Sequence, residues 1–465
     1  MSLSFLLLVL GSVSALASSI SNITQELGSQ LSAGASISAG SSAAPRWSAY
    51  DAPSPGYTIT VIEASDVAKT IQYCSEKGVN FLAQSGAHSS PTTFHIGSND
   101  VVINLAAINY TKVSDDGTTM AVGAGAMNSD IIQAAFESNG IVLSGGCNCV
   151  GVFLLEEGSV TSWAMPVDNL ISLDIVLANG TMLTTTKTDY PDLFWALGGA
   201  GPNFGIVTSF TIKVHPKTES TLSMVNAELY FTGDKLEAYI DAVNNLNMTS
   251  LMVNEWGFGY QNSTPYIYSG IIYLDNDEAA AREAFKSLYD IGPAALSEGV
   301  LAYNHLNDQN DDFCTIDGLR KPSWHVGLKT LDYPTWQSVW DEMVSFVDQT
   351  GLNSTRVLVE TYSPYLAREI GDQYVCYPHR AINFHAVFQS LYVDSSWDNA
   401  VEDLGSKIRT LWQSTDGFET HRTYINFAHG DEAPEIIYGE SLPRLKELKA
   451  AWDPENRFDQ WLPIM

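Results

Sequence analysis

Residues 143–152, LSGGCNCVGV, constrain the chain most strongly, because they must form a loop that presents thiols between the ordered elements on either side. Gly145 and Gly146 let the backbone turn tightly or approach a ligand closely, since no Cβ stands in the way. Cys147 and Cys149 lie one residue apart, and a thiol held in such a loop is a candidate nucleophile or ligand. A structural disulfide is an equally good interpretation of this stretch alone.

The size and composition of the chain indicate a globular protein of two or three domains. Its 465 residues are too many for one ordinary core. Hydrophobic residues make up 45% and aromatic residues 11% of the chain, which is enough to form such cores. Acidic residues outnumber basic ones by 53 to 23, giving a formal net charge of −30. Because nucleic acids and anionic membrane surfaces would repel this charge, we expect neither as a partner.

The N-terminus has the features of a secretory signal peptide. The short apolar run 5–10 is followed by small residues that end in Ala15-Leu16-Ala17, so we expect removal of residues 1–17 and a secreted, extracellular protein. The run is too short to span a bilayer, and no later stretch is long and apolar enough. Sequons suited to a secreted glycoprotein follow at Asn22, Asn109, Asn179, Asn247, Asn262 and Asn353.

The cysteine count leaves one thiol to be explained. An oxidising compartment favours disulfides, and two disulfides would use four of the five cysteines. A covalent bond to a cofactor is one explanation for the fifth. The five are Cys74, Cys147, Cys149, Cys314 and Cys376.

The order of predicted elements indicates an α+β protein with three ordered parts. Residues 18–45 are rich in Ser, Ala and Gly, which favours a flexible lead-in. Short strands alternate with helices over residues 46–216, whereas residues 217–420 carry longer amphipathic segments and residues 421–465 begin with a predicted strand. The predicted helices are 65–78, 129–139, 192–196, 234–246, 278–289, 333–350 and 442–451, and the predicted strands are 58–61, 79–84, 101–105, 120–122, 171–177, 182–186, 206–214, 266–273 and 357–361.

Several segments resemble one protein family. Residues 192–208, DLFWALGGAGPNFGIVT, are similar to the segment DLFWALRGGGGNFGIVT of the FAD-linked oxidases with a p-cresol methylhydroxylase-type FAD-binding domain, in their berberine-bridge-enzyme-like branch. Residues 85–89, SGAHS, and 147–152, CNCVGV, resemble the SGGHS and CxxVGV loops of the same family. Further similar segments are 167–169, 176–180 and 453–458.

This resemblance implies a fold of two α+β domains. Residues 46–216 and 421–465 would form the FAD-binding domain, and residues 217–420 an inserted substrate domain whose antiparallel sheet is covered by helices. The last 45 residues would return to cover the flavin, as the family's closing segment does.

The resemblance also implies the residues that hold FAD. The loop histidine bonds covalently to the flavin in this family, which implies that role for His88, and Cys147 stands at the second covalent attachment site. The other four cysteines would then be available as pairs. Glycine loops offer backbone N–H groups to a pyrophosphate. The other residues implied to contact FAD are Ser85, Gly86, Ala87, Ser89, Gly151, Gly205, Ile206, Val207, Asn426 and Asn456.

Three departures from the family pattern bear on activity. The glycine-rich run expected after Val152 is short, and Glu156 and Glu157 would repel a desolvated diphosphate. Gln84 stands where a basic residue often precedes the histidine loop. The family's Y-x-N-Y motif ends here in Phe427, which cannot accept a proton, so a different base is needed. Candidates by residue type are Tyr424, His379, His385 and His429.

The sequence therefore predicts a secreted FAD-dependent oxidoreductase. Hydride would pass from an alcohol or similar C–H donor, in a sugar or a secondary metabolite, to covalently held FAD, with O₂ as acceptor. One alternative is an impaired or FAD-free relative of the same fold, because of Glu156, Glu157 and Phe427. A more distant alternative is a secreted glycan hydrolase or binding protein, which needs a cleft with paired carboxylates. No metal site is expected, since no cluster of carboxylates or cysteines accompanies His88 and His95.

Overall fold

The structure is a computed structural model that describes residues 22–152, 165–314, 318–363, 365–371 and 374–465. The predicted signal peptide, residues 1–17, lies outside these ranges. The N-terminal region contains the helices α1 Ala64–Lys77, α2 Asn128–Glu137 and α3 Pro191–Ala200. Its strands are β1 Ser36–Ala39, β2 Tyr57–Thr60, β3 Phe81–Gln84, β4 Val101–Asn104, β5 Thr111–Val113, β6 Thr119–Gly123, β7 Gly140–Ile141, β8 Leu170–Val176, β9 Met182–Thr186, β10 Ile206–Lys213 and β11 His215–Pro216.

These strands build two principal sheets. One has the order β1-β2-β4-β3, in which β2, β4 and β3 are parallel and β1 is antiparallel to β2. The other is antiparallel, with the order β5-β6-β10-β8-β9. α1 provides the crossover that parallel strands β2 and β3 require, and it ends as predicted at Gly78, whose φ of 64° suits glycine. The turn at Asn179-Gly180 joins β8 to β9 in antiparallel, also as predicted.

The middle region is one antiparallel sheet with helices on one face. Its order within the described residues is β15-β12-β14-β13-β17-β18-β16. The strands are β12 Ser223–Phe231, β13 Met252–Gln261, β14 Thr264–Tyr273, β15 Ala295–Ala302, β16 Ser323–Leu328, β17 Thr355–Tyr362 and β18 Phe384–Ser390. The helices are α4 Leu236–Asn244, α5 Glu278–Ala284, α6 Lys286–Asp290, α7 Tyr333–Thr350, α8 Tyr365–Ile370 and α9 Asp398–Gln413.

The helix-covered face of this sheet is an aromatic core. Trp256 of β13 packs on Trp336 of α7, with ring centroids 4.8 Å apart, and Trp336 in turn packs on Trp412 of α9. Alternate residues of β12, β13, β14, β16, β17 and β18 enter this core, so the intervening residues of these strands must point to the opposite face. The predicted helix 278–289 is two helices, because Phe285 leaves helical geometry where its fully buried ring enters the core.

The C-terminal region returns to the N-terminal region through α10 Pro434–Tyr438 and α11 Leu442–Trp452. The expected strand at the start of 421–465 is wrong. The backbone N–H of Thr423 donates to Ile436 O at 3.1 Å, and that of Tyr424 donates to the His325 side chain, so neither joins a strand ladder.

The flexible lead-in expected for residues 18–45 is also wrong for the described part, residues 22–45. Ser36–Ala39 forms β1, and the side chains of Ile23 and Leu27 are buried in the core beneath α1. Two large apolar side chains among small residues are enough to anchor this segment.

The architecture as a whole confirms the predicted α+β fold of two parts. No helix within the described residues is long and apolar enough to cross a membrane.

Candidate active site

Two glycine-containing loops meet in the N-terminal region. Residues 85–89 follow β3 and residues 145–151 follow β7. A Cβ on Gly86 would lie 2.5 Å from the backbone N of Gly151, and a Cβ on Gly151 would lie 2.9 Å from Ser85 Oγ. Side chains do not approach this closely, so the contact requires glycine at both positions. The structure thus brings together two groups of predicted cofactor residues, 85–89 and Cys147 with Gly151.

His88 lies beside an aromatic ring and two cations. Its imidazole stacks on Trp47, with ring centroids 5.2 Å apart. Burial lowers the pKa of His88 to about 4, and the charges of Lys321 and Arg46 contribute to the decrease. The imidazole is therefore neutral at physiological pH and keeps a lone pair on one ring nitrogen, as a nucleophile requires.

Arg46 supplies the cation that the family pattern places at Gln84. Its guanidinium donates to Gln84 Oε1 at 3.2 Å and to the backbone carbonyl of Ser89. The Gln84 amide in turn donates to Ala44 O at 2.9 Å. The positive charge beside the histidine loop is therefore present, although it comes from a residue nearly forty positions earlier.

The loop that carries Cys147 is held by the 3₁₀ segment Tyr303–Cys314, which we call the clamp segment. A disulfide joins Cys149 to Cys314 across a sequence separation of 165 residues. The hydrogen bonds between clamp and loop are Asn307 Nδ2 to Gly145 O at 2.8 Å, Asn310 Nδ2 to Gly146 O at 2.8 Å, and Asn148 Nδ2 to Asp308 Oδ1 at 3.0 Å and Asp311 Oδ1 at 2.9 Å. The middle region therefore fixes the position of this loop.

This disulfide corrects the expected cysteine pairing. Besides Cys147, the described cysteines Cys74 and Cys376 also remain thiols. They cannot pair because they lie in separate cores: Cys74 is buried on α1, and Cys376 donates to Ala196 O at 3.3 Å. Burial raises the pKa of the Cys147 thiol to about 12, with Glu255 and Glu360 adding to the increase. Cys147 is therefore protonated at physiological pH.

The predicted contacts Gly205, Ile206 and Val207 lie at the start of β10, and the side chains of the last two are buried in the core. A hydrogen-bond chain links their strand to the histidine loop. Ala124 N donates to Thr208 O at 3.0 Å, and Ser85 Oγ donates to Ala124 O at 2.6 Å.

The two predicted asparagine contacts belong to the C-terminal region. Asn456 has a φ of 50°, and its buried Oδ1 has no hydrogen-bond partner among the described residues. Asn426 donates from its side-chain amide to the hydroxyl of Tyr424.

A pair of carboxyl groups faces the Cys147 loop from the middle sheet. Glu255 of β13 and Glu360 of β17 are direct partners across the two strands. Their sequence neighbours Trp256 and Val359 enter the helix-covered core, so both carboxyl groups point to the opposite face. A Cβ on Gly146 would lie 3.6 Å from Glu255 Oε1, which places this face against the loop.

The two carboxyl groups have different surroundings. Burial raises the pKa of Glu255 to about 7, whereas a hydrogen bond with Asn310 opposes this increase. Glu360 Oε2 accepts a hydrogen bond from the Tyr362 hydroxyl at 3.1 Å. The charge of Arg356, on the same face of β17, opposes the increase in the pKa of Cys147.

The structure places the four predicted base candidates in different roles. His379 donates from Nε2 to Ile437 O at 2.7 Å, and burial lowers its pKa to about 3, which makes it a poor base. His429 stacks on Trp324, with centroids 4.3 Å apart, and donates to Ser323 O. His379 and His429 therefore each make a hydrogen bond to a backbone carbonyl, which indicates a structural role.

Tyr424 and His385 do lie near the carboxyl pair. Their rings are 5.8 Å apart, and His385 is the strand partner of Glu360. Tyr424 is 3% exposed and contacts Phe427, the residue that replaces the second tyrosine of the family motif, with centroids 5.3 Å apart.

Sequence reasoning missed the residues that the middle sheet contributes. Glu255 and Glu360 each stand within a strand of alternating apolar residues, and a carboxylate in such a place is the signal that could have identified them. Lys321, Asn310 and His325 carried no comparable signal, because only the folded sheet and the clamp segment bring them to the loops.

The described residues contain no group of three or more metal-ligating side chains.

These residues fit FAD. The Gly86–Gly151 contact keeps side chains away from a bound ring system, Arg46 and Lys321 suit its anionic groups, and Asn456 Oδ1 offers an acceptor. The fold and this site together indicate an FAD-linked oxidoreductase.

Comparisons with known proteins agree. The sequence model of the family described as FAD binding domain matches residues 55–186, and the one described as berberine and berberine like matches residues 423–464. The chain is therefore similar to berberine-bridge-enzyme-like FAD-linked oxidoreductases at both ends of its FAD-binding region. It is 29% identical over 440 residues to the FAD-linked oxidoreductase OXR1 of Pyricularia oryzae, covering 90% of this chain and 86% of that protein.

Two solved structures show the same fold. BBE-like 1 of Physcomitrella patens superposes with a TM-score of 0.80 at 17% identity, covering 95% of this chain and 99% of that one. The glucooligosaccharide oxidase of Acremonium strictum, described as revealing a novel flavinylation, has a TM-score of 0.74 at 16% identity and covers 88% and 91% of the two chains.

Proposed function

We propose that this protein is a secreted oxidase that removes hydride from an alcohol carbon of a small molecule, a sugar or a secondary metabolite, with O₂ as the final electron acceptor. The observation that carries the proposal is the pair Glu255 and Glu360, which faces the loop of Cys147. Bound FAD supplies the hydride acceptor, and the protein supplies the base and the orientation.

Glu360 accepts the proton of the substrate hydroxyl. Two adjacent carboxyl groups resist a second ionisation, and burial raises the pKa of Glu255, so Glu255 is the member that keeps a proton. Glu360, which accepts the hydroxyl of Tyr362, is then the ionised member. The pair supplies the base that Phe427 cannot be.

The tether in this proposal is His88. Its neutral imidazole is ready to bond to the flavin, as the resemblance implies. Cys147 could form a second tether only after its proton passed to a neighbouring carboxylate, because its surroundings disfavour the thiolate. The flavinylation named for the Acremonium strictum oxidase supports covalent attachment, and its action on a glucooligosaccharide supports a carbohydrate substrate.

Secretion is supported by the signal-like N-terminus, the six sequons and the Cys149–Cys314 disulfide, which suits an oxidising compartment.

An impaired relative is the second candidate function, motivated by Glu156 and Glu157, which lie outside the described residues. A glycan hydrolase would also use paired carboxylates. The match to the FAD binding domain family favours an oxidoreductase over a glycan hydrolase.

The test is the absorbance spectrum of the purified secreted protein before and after acid precipitation, followed by anaerobic mixing with a panel of oligosaccharides and aromatic alcohols. Yellow colour in the acid pellet, lost to the supernatant in His88→Ala, supports the tether. Bleaching of the flavin by one substrate class, and its recovery with O₂, support the oxidase. Colour without bleaching by any donor would favour the impaired relative, and a colourless protein would overturn the proposal.

A further inference from the structure

Arg356 of β17 lies on the face of the middle sheet that carries the carboxyl pair. Its sequence neighbour Val357 enters the helix-covered core, so the side chain of Arg356 points to the same face as that of Glu360. The charges of Arg356 and of the carboxyl pair all act on the Cys147 thiol, in opposite directions. The guanidinium therefore belongs to the candidate active site.

The surroundings of Arg356 are those of an enclosed cleft. The residues that line it each remain partly accessible to solvent: Arg356, Tyr268, Glu255 and Cys147. Burial is nevertheless the largest cause of the shift in the pKa of all four groups, and it lowers the pKa of Arg356 to about 10. Groups that are accessible and yet largely desolvated line a cleft, where a small ligand can reach them.

The positive charge of Arg356 forms no ion pair with any described residue. Its Nε donates to Gln389 Oε1 at 3.1 Å, and Nη2 donates to the same oxygen of this neutral amide. The groups whose negative charge could offset the cation are Tyr268, Cys147 and Tyr266, but the pKa of each is raised, so all three are neutral at physiological pH. A desolvated cation without a counter-ion destabilises a fold, so a ligand that supplies the anion would be favoured here.

One edge of the guanidinium is open. Phe313 of the clamp segment covers one of its faces, with the guanidinium carbon 4.0 Å from the ring centroid. Nη1 has no hydrogen-bond partner among the described residues. The open N–H groups of Nη1 and Nη2 lie side by side and match the two oxygens of a carboxylate. A monoanion suits this edge better than a dianionic phosphate, because an ionised Glu360 on the same face repels additional negative charge.

We propose that Arg356 binds a carboxylate of the substrate, so that the alcohol to be oxidised belongs to a molecule that also carries an acid group, such as a uronic acid or an aromatic acid. The inference rests on the proposed function and deepens it, because it names a chemical class among the sugars and secondary metabolites. Arg356 is then a specificity-determining residue, and Glu360 remains the base.

Binding of small acids and their amides to the flavin-containing protein tests the inference without turnover. The probes are benzoate with benzamide and D-glucuronate with D-glucuronamide, and isothermal titration calorimetry measures their dissociation constants. We expect the acid of at least one pair to bind about 10–100-fold more tightly than its amide, because hydrogen bonds to a charged group are stronger than those between neutral groups. Amides that bind as tightly as the acids in both pairs would overturn the inference.

Three variants assign the preference for acids to Arg356. Arg356→Gln should abolish it and leave the dissociation constants of the amides unchanged. Arg356→Lys keeps the charge without the planar fork, so it should retain part of the preference, and it replaces Arg356→Gln should that variant fail to fold. Arg282→Gln is the matched control, because it removes an exposed arginine that pairs with Glu298, and it should keep the full preference. An equal loss in Arg282→Gln would overturn the assignment to Arg356.

The flavin spectrum and a phosphate probe distinguish the remaining outcomes. An altered flavin absorbance or flavin content in Arg356→Gln, with the preference for acids intact, would assign Arg356 to the flavin and overturn the inference. Tighter binding of phenyl phosphate than of benzoate would overturn the choice of a carboxylate. A preference for acids that is lost in Arg356→Gln, in a protein whose flavin no donor reduces, would instead overturn the oxidase and leave the acid site in place.

Discussion

Glu360 is the residue whose replacement should affect the proposed reaction most. In Glu360→Gln the acceptor of the substrate proton is lost, so we expect the rate of flavin reduction to fall roughly 10²–10⁴-fold while the flavin content stays unchanged. Stopped-flow absorbance under anaerobic conditions measures this rate. Glu228→Gln is the matched control, because Glu228 lies on the same face and also accepts a tyrosine hydroxyl, that of Tyr230, at 3.1 Å.

Glu255→Gln separates the two members of the pair. Glutamine resembles the protonated acid that Glu255 is proposed to be, so its reduction rate should stay within about tenfold of the unmodified protein. Should Glu255→Gln be the slower variant and Glu360→Gln retain its rate, the two roles are reversed.

The ionisation of Glu255 should also appear in the stability of the fold. Its folded pKa, about 7, lies above the ordinary value of 4.5. A carboxyl group raised in this way contributes stability that is present below the unfolded pKa and lost as the pH rises through the folded one. Glu255→Gln should therefore gain free energy of unfolding relative to the unmodified chain between pH 5 and 8, by about 2–3 kcal/mol. Urea unfolding at the two pH values measures this, and a constant difference would contradict the raised pKa.

The clamp segment Tyr303–Cys314 is the element that attaches the loop of Cys147 to the middle region. Replacing Cys149 and Cys314 together by serine removes the covalent part of this tie, and disulfides typically contribute about 2–4 kcal/mol. We expect a loss of that size in urea unfolding and a weaker retention of flavin in a His88→Ala background. Asn148→Ala, which loses only hydrogen bonds to exposed carboxylates, should cost less than about 1 kcal/mol. Equal losses of unfolding free energy in the two variants would show that the disulfide stabilises the fold no more than the Asn148 hydrogen bonds do.

A buried ion pair anchors the C-terminal region to the N-terminal region. It joins Lys449 of α11 to Asp453, which follows the helix. Lys449 Nζ donates to Asp453 Oδ2 at 2.6 Å, Asn203 O at 2.7 Å and Phe458 O at 2.8 Å. Lys449→Met would leave Asp453 buried without its cation, which costs about 3–5 kcal/mol. Lys446→Met, exposed on the same helix, should change stability by less than about 0.5 kcal/mol. Denaturant unfolding of both variants checks this, and a small effect of Lys449→Met would mean that the C-terminal region is held mainly by its apolar contacts.

The sequence by itself determined what local chemistry can specify. The helix at Tyr333–Thr350 was predicted to the residue, since Asp332 caps its start and Gly351, with a φ of 73°, ends it. The hairpin at Asn179-Gly180 and the glycine loops were likewise readable, because a turn or a close approach restricts the residues that can occupy it. The α+β fold followed from these elements, and the similarity to FAD-linked oxidoreductases followed from the motifs at residues 85–89, 147–152 and 192–208.

Tertiary structure decided which distant residues share the site. The carboxyl pair, the contact of Arg356 with Gln389 and the Cys149–Cys314 disulfide depend on strand register and on the clamp segment, and a shift of one residue in register would turn Glu360 into the helix-covered core. The burial of Ile23 and Leu27 and the absence of a strand at Thr423 likewise depend on partners far along the chain. Local sequence cannot encode such partners, because burial and pairing are properties of the assembled sheets.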